Sequence, residues 1–97
     1  MARYRRKKPI VIEAMQYPGH SVRGVDALIE FEEWLEPIAT AIGCWPMVYR
    51  GQALIIPGLA GDYEAWPGDW IIQGVAGELA PCKPIIFEMT YEPAEEY

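Results

Sequence analysis

The stretch that specifies the fold of this sequence most tightly is residues 61–92, GDYEAWPGDWIIQGVAGELAPCKPIIFEMTYE. Two strand-like runs within it are separated by the turn Gly74–Gly77. A third run follows Pro84 and alternates apolar and polar residues up to Glu92, as a strand with one buried face does. The stretch therefore predicts a β meander.

The segment Pro81-Cys82-Lys83-Pro84 interrupts this meander. Its two prolines remove two backbone donors, so it cannot be a regular central strand. We expect an edge strand, a bulge or a loop here. In the strand that is expected to follow, the residues on the buried face are Ile85, Phe87, Met89 and Tyr91.

Upstream, β-branched residues predict a first strand over Ile10–Tyr17, bounded by Pro9 and by Pro18-Gly19. We expect this strand to pair with the last one. Gly51-Gln52 is flanked by two strand-like fragments, Met47–Arg50 and Ala53–Ile56. This arrangement predicts a hairpin with a two-residue turn.

Further turns and returning strands follow the hairpin. Residues 62–66 are expected to return alongside its second strand, and Pro67-Gly68 predicts the next tight turn.

A single helix is predicted from Asp26, which can cap it, to Leu35, with Ser21 as a competing start. Its apolar stripe at helical period consists of Leu28, Phe31, Leu35 and Ile38. Pro37 disfavours a helical conformation at Glu36, so the helix is expected to end there. Glu32 and Glu36 are four residues apart and lie on one face of the predicted helix. We interpret this face as exposed to solvent and not as a catalytic or metal-binding carboxylate site.

Together these elements predict one α+β domain over residues 1–97, with a basic arm at 1–8 and a frayed acidic tail at 93–97. The sheet is expected to be small, mostly antiparallel and curved, or a partly open barrel, with five to seven short strands and one helix packed on it.

The net charge of −6 is unevenly distributed. Five of the eight basic residues fall in the first eight positions, and the rest carries three basic residues against fourteen acidic ones. An acidic body repels phosphate backbones, so nucleic-acid binding is not expected except through the basic arm. No secretory signal or membrane-length apolar run is present, which predicts a soluble intracellular protein.

The sequence has two cysteines, Cys44 and Cys82, and one histidine, His20. They form no metal-ligand spacing, so neither a metal nor a cofactor is predicted. A Cys44–Cys82 disulfide stays open, although a reducing cytosol disfavours it.

Three residues carry an enzymatic alternative: Asp69, Glu78 and Cys82. Asp69 and Glu78 lie at the two ends of one predicted hairpin and would need to converge to act as an acid/base pair. Lys83 would favour the thiolate of Cys82, but His20 has no sequence reason to approach it as a base. For Asp69 the favoured interpretation is structural, with its carboxylate accepting backbone N–H groups at the turn.

Three runs of this sequence are specific when they occur together: KKPIVIEAMQY, EEWL and PGDWIIQGVAGELAPCKPIIFEMTYEP. In this combination the chain resembles a group of small uncharacterised proteins encoded by bacteriophages and prophages. The resemblance covers both ends of the chain and most of its second half. Ile85 stands where the group would lead us to expect an acidic residue. The resemblance implies phage origin and action in the cytoplasm of a host bacterium, and it implies no reaction.

The leading hypothesis is a non-enzymatic accessory protein that binds a host or phage protein, either alone or as a homodimer, through an acidic surface that carries tryptophan. The alternatives are a binder of a nucleotide or metabolite, and a small enzyme that uses Asp69, Glu78 or Cys82. For the second hypothesis the expected site is a mouth of the sheet lined by Tyr63, Trp66 and Trp70 and gated by the loop that carries Cys82 and Lys83.

Overall fold

A computed structural model describes residues 2–3, 11–20, 24–58 and 60–94 of the chain. Its elements, in chain order, are β1 (Glu13–Gln16), α1 (Val25–Ala41), β2 (Val48–Arg50), β3 (Ala53–Ile56), β4 (Tyr63–Ala65), β5 (Trp70–Gln73), β6 (Leu79–Cys82) and α2 (Pro84–Thr90). The six strands form two antiparallel three-stranded sheets, in the orders β1-β5-β6 and β2-β3-β4. The predicted small α+β fold is confirmed, without a closed barrel.

Several predicted features lie outside the described residues. They are the start of the first strand at Ile10, the alternative helix start at Ser21, most of the basic arm, and the end of the acidic tail at 95–97. In the part of the chain that the structure describes, no helix is long and apolar enough to cross a bilayer.

The first half of the predicted meander is confirmed as the β5–β6 hairpin. Gln73 lies opposite Leu79, and Trp70 lies opposite Cys82. The turn is closed by the Gly74 amide, which donates to the Glu78 carbonyl at 2.8 Å. β6 is an edge strand, and this explains how Pro81, which lacks a backbone donor, fits into the sheet.

The predicted third strand is wrong, because residues 84–90 form α2. Pro84 occupies the first helical turn, where its missing N–H costs nothing and its fixed φ suits the helix. The Phe87 amide donates to the Lys83 carbonyl at 2.8 Å, and the Tyr91 amide donates to the Phe87 carbonyl at 2.9 Å. Helix α2 therefore takes the place of a predicted strand, and the described chain has two helices where one was predicted.

The predicted pairing of the first and last strands is wrong for the same reason. β1 pairs instead with β5, with Glu13 opposite Gln73 and Gln16 opposite Trp70. β5 is therefore the central strand of its sheet. Tyr17 continues the contact beyond the strand, since its amide donates to the Asp69 carbonyl at 2.8 Å.

The predicted hairpin across Gly51-Gln52 is confirmed. Val48 of β2 lies opposite Ile55 of β3, and Gly51 has a φ of +58°, a value that residues other than glycine rarely adopt. The predicted return of residues 62–66 is confirmed as β4, which pairs with β3. All four residues of β3 are buried.

Helix α1 is longer than predicted, since it runs from Val25 to Ala41 with Pro37 inside it. The expected stop at Glu36 is wrong. Pro37 leaves the Glu33 carbonyl without its helical donor, but both residues are exposed, so water can satisfy that carbonyl. Beyond Pro37 the helix gains burial, because Ala39 is fully buried in the core.

The core lies between α1 and the two sheets. The predicted stripe of α1 supplies Leu28, Phe31 and Leu35, all buried. The buried cluster as a whole consists of Tyr17, Leu28, Phe31, Leu35, Ala39, Leu54, Ile56, Ala65, Ile71 and Leu79. One contiguous core of this kind holds both sheets and α1 together.

Candidate functional site: the apolar face of helix α2

Helix α2 presents apolar side chains to solvent. None of its residues is buried, and Ile85, Ile86 and Met89 are 72%, 56% and 82% exposed. Met89 is four residues after Ile85 and three after Ile86, and residues at these two spacings are neighbours on one side of a helix. We call Ile85, Ile86 and Met89 the α2 surface. Several large apolar side chains exposed on one short element are typical of a contact surface.

The opposite side of α2 is held by aromatic stacking. The Phe87 ring stacks on the Trp70 ring of β5, with centroids 4.1 Å apart and planes 6° apart. The Tyr91 ring lies 5.1 Å from that of Phe87. The indole N–H of Trp70 is buried without a hydrogen-bond partner among the described residues, so the contact depends on packing of the rings. With Phe87 turned inward, the α2 surface necessarily faces out.

An ion pair fixes the entry into α2. Lys83, which precedes the helix, places its ammonium nitrogen 3.0 Å from Oδ2 of Asp69. The same oxygen accepts the Trp66 backbone N–H at 2.9 Å. The predicted structural role of Asp69 is thereby confirmed, because its carboxylate does accept a backbone N–H at the turn. Its side chain is only 5% exposed, against 61% for Lys83.

The Pro67-Gly68 turn packs beside the start of α2. The Asp69 amide donates to the Trp66 carbonyl at 2.9 Å, and Gly68 has a φ of +94°, as the third position of a type II turn requires. A Cβ placed on Gly68 would lie 3.9 Å from Pro84 Cγ. This turn brings Trp66, which is 45% exposed, to the same end of the molecule as α2.

The structure brings some of the predicted binding residues together and separates others. Trp66 and Lys83 meet at Asp69, and Trp70 is opposite Cys82 in the sheet. Tyr63 belongs to the other sheet, where its ring covers Gly58. Helix α2 adjoins the first group, because Phe87 stacks on Trp70 and Lys83 directly precedes the helix.

The residues of the enzymatic alternative are not assembled. Asp69 and Glu78 stand just outside opposite ends of the β5–β6 pairing. The Glu78 carboxylate folds over Gly74, where an added Cβ would collide with it. The two carboxylates therefore do not converge as an acid/base pair.

Cys44 and Cys82 are not joined in a disulfide, and His20 does not lie beside Cys82 as a base. Cys44 and Cys82 are both free, half-buried thiols, and Cys82 Sγ donates to the Lys83 carbonyl at 3.7 Å. His20 stacks instead on Tyr49 of the hairpin, with ring centroids 4.5 Å apart. Its backbone is held by the Gln52 side-chain amide through bonds of 3.0 and 2.8 Å.

Two shallow grooves lie elsewhere on the chain. One, of about 300 Å³, is lined by residues that include Trp45, Val48 and Arg50. The other, of about 250 Å³, lies between α1 and Trp45. Neither is lined by Tyr63, Trp66 or Trp70, and the predicted ligand mouth at those residues stays a prediction. In the described part of the chain no group of three or more His, Cys, Asp or Glu residues is placed to hold a metal ion.

Tyr17 in the core and Tyr49, which packs against the core, both have raised pKa values. Burial, with a smaller contribution from Glu32, raises the pKa of Tyr17 to about 12. Burial and the Glu32 carboxylate also raise the pKa of Tyr49. The Tyr17 hydroxyl donates to the Gln52 carbonyl at 2.8 Å, which ties the β2–β3 turn to the end of β1.

These shifts predict alkaline destabilisation. The folded chain keeps the Tyr17 proton above pH 10, where the unfolded chain releases it, so stability is expected to fall from about pH 10 toward pH 12. Tyr17 accounts for about 2–3 kcal/mol of that loss. Urea unfolding at a series of pH values tests this in the wild type and in Tyr17→Phe. The variant should lose stability less steeply, and parallel curves for the two proteins would contradict the assignment.

Comparison with protein-family models, curated proteins and solved structures finds no match to the chain. The resemblance to phage and prophage proteins therefore stays a prediction.

Sequence reasoning missed the α2 surface because it assigned residues 85–91 to a strand. Alternation placed Ile85 and Met89 on the same buried face as Phe87, whereas the helix separates them from it. Two signals pointed to the helix: Pro84, which suits a first helical turn, and the aromatic pair Phe87 and Tyr91 at i and i+4.

Proposed function

We propose that this chain is a non-enzymatic interaction protein that binds another protein through the α2 surface. The observation that carries the proposal is the outward direction of Ile85, Ile86 and Met89, each more than half exposed, on a helix fixed in place by its other side. Burying one side chain of this kind contributes roughly 1.5–3 kcal/mol. Three such side chains together can form the apolar centre of a protein–protein contact.

The surroundings of α2 support this proposal. Trp66 is partly exposed beside the start of the helix, and tryptophan is among the residues that most often dominate binding energy at interfaces. The Asp69–Lys83 ion pair and the Trp70–Phe87 stack position the helix before any partner arrives. A surface that is already ordered loses less conformational entropy on binding.

We place this interaction in the cytoplasm of a bacterium that carries the phage or prophage, and the partner is a host or phage protein. The support for this setting is the resemblance of the PGDWI, GVAGE and PCKP runs, which occupy the turn into β5 and its start, the β5–β6 turn, and the junction of β6 with α2. The proposal requires no cofactor and no reaction.

Replacing Ile85 and Met89 together with glutamine tests the proposal. Glutamine favours helices about as well as most residues, so the helix should persist while its apolar face is lost. Capture of proteins from a bacterial lysate by the full chain, followed by mass spectrometry, should yield partners that the double variant recovers at least about tenfold less. Far-ultraviolet circular dichroism and urea midpoints should stay close to those of the wild type.

Val75→Gln provides the matched control. Val75 is 81% exposed, and it lies in the turn at the far end of the β5–β6 hairpin. Its replacement should leave capture unchanged. The same set of captured proteins with wild type and double variant, or no capture by folded wild type, would argue against this function.

A further inference from the structure

The electrostatic surroundings of the α2 surface indicate the chemistry of its partner. Glu88 lies beside Met89 on the exposed part of the helix, and Glu92 follows two residues after its end. Lys83 is the only basic residue between positions 83 and 94, and its charge is already paired with Asp69. Within the part of the chain that the structure describes, no basic side chain forms an ion pair with Glu88 or Glu92, so negative charge borders the apolar face.

The helix itself adds to this negative potential. The carbonyl groups of its last turn carry the negative end of the helix dipole, and cations stabilise that end. The last turn of α2 has no basic residue and instead contains Glu88. The arrangement costs the isolated helix some stability, and a positive group supplied from outside would compensate it.

We infer that the partner of the α2 surface is a protein with an apolar groove bordered by lysine or arginine side chains, placed to meet Glu88, Glu92 and the C-terminal end of α2. This inference rests on the proposed function. The groove takes Ile85, Ile86 and Met89, and the cations neutralise the carboxylates. This is the helix-in-groove mode of recognition, with orientation set by charge.

Charge also disfavours two other occupants. A second copy of the chain also has a net charge of −6, and the one basic residue next to its α2 surface, Lys83, is already paired with Asp69. An anionic membrane would repel the carboxylates of Glu88 and Glu92, whereas interfacial helices that bind such membranes carry Lys and Arg on their polar face.

The test uses a displayed library of short random peptides, selected against the immobilised full-length wild type. Enriched peptides are expected to combine apolar residues with a net positive charge. Their affinity should fall at least about tenfold for Ile85→Gln/Met89→Gln. It should fall several-fold for Glu88→Gln/Glu92→Gln, chiefly through slower association, and in about 1 M NaCl, where the Debye length is about 3 Å, that difference should disappear.

The outcomes separate the two proposals. If enriched peptides depend on Ile85 and Met89 but carry no excess positive charge and ignore the glutamate changes, the inferred partner chemistry is overturned while the proposed function stands. If no enriched peptide is sensitive to the Ile85 and Met89 changes, both are overturned.

Two further measurements address the other occupants. Sedimentation equilibrium that shows a dimer, lost in Ile85→Gln/Met89→Gln, would overturn the inference in favour of a second copy. Flotation with phosphatidylglycerol vesicles, lost in the same variant, would overturn it in favour of a membrane. A monomer that does not float supports it.

Discussion

Phe31→Ala is expected to destabilise the protein by about 3–5 kcal/mol. Phe31 is fully buried, and its ring lies 5.4 Å from that of Tyr17 and 6.1 Å from that of Trp34. Truncation removes buried apolar area and leaves a cavity between α1 and the sheets. A chain of 97 residues has a total stability of about 5–15 kcal/mol, so the variant should be close to unfolded at 37 °C.

Urea denaturation followed by circular dichroism measures this effect. Glu33→Ala, at an exposed position of the same helix, is the control and should change stability by less than about 0.5 kcal/mol. A loss below about 1 kcal/mol in Phe31→Ala would contradict the position of α1 on the core.

Asp69→Ala is the second change with a large expected effect, a loss of about 2–3 kcal/mol. It removes the acceptor of the Trp66 N–H and the partner of Lys83 in one step. The Trp66–Asp69 turn then loses its side-chain bond, and α2 loses the ion pair at its start. Thermal and urea unfolding should both report the loss.

Two variants separate the components at Asp69. Asp69→Asn keeps an oxygen that can accept the Trp66 N–H and removes the charge, so its loss should be smaller, about 1–2 kcal/mol. Lys83→Met should cost less than about 1 kcal/mol, because the ammonium is mostly exposed and the pair is screened by solvent. Equal losses in Asp69→Ala and Lys83→Met would show that the backbone bond contributes nothing.

The same ion pair connects stability to the proposed interaction. If Lys83 and Asp69 fix the start of α2, Lys83→Met should weaken partner capture more than its small effect on stability accounts for. The Trp70–Phe87 stack would still hold the helix, so capture should be reduced and not abolished.

The sequence identified the elements whose conformation depends on neighbouring residues. Gly51 and the Pro67-Gly68 pair specify turns because a positive φ or a locked φ is required there, and the structure has turns at both. The stripe Leu28, Phe31 and Leu35 defined the packed side of α1. For the candidate site, three of the predicted binding residues, Trp66, Trp70 and Lys83, lie next to the start of α2, while the α2 surface itself was missed.

What the sequence could not determine depends on contacts between distant residues. Residues 84–90 are compatible with a strand or a helix, and the helix is the form in which Phe87 stacks on the distant Trp70. Once they are helical, β1 has no last strand to join and pairs with β5. Pro37 stays inside α1, where water can satisfy the exposed Glu33 carbonyl and the helix beyond the proline packs Ala39 into the core.

Local stereochemistry in the sequence thus determined where the chain turns and which side of α1 is buried, because φ restrictions and side-chain period act over a few residues. Only the tertiary structure decided that residues 84–90 turn Ile85, Ile86 and Met89 toward solvent. The physical reason is that strand and helix differ little in local free energy for such a short apolar run, so packing across the fold selects between them.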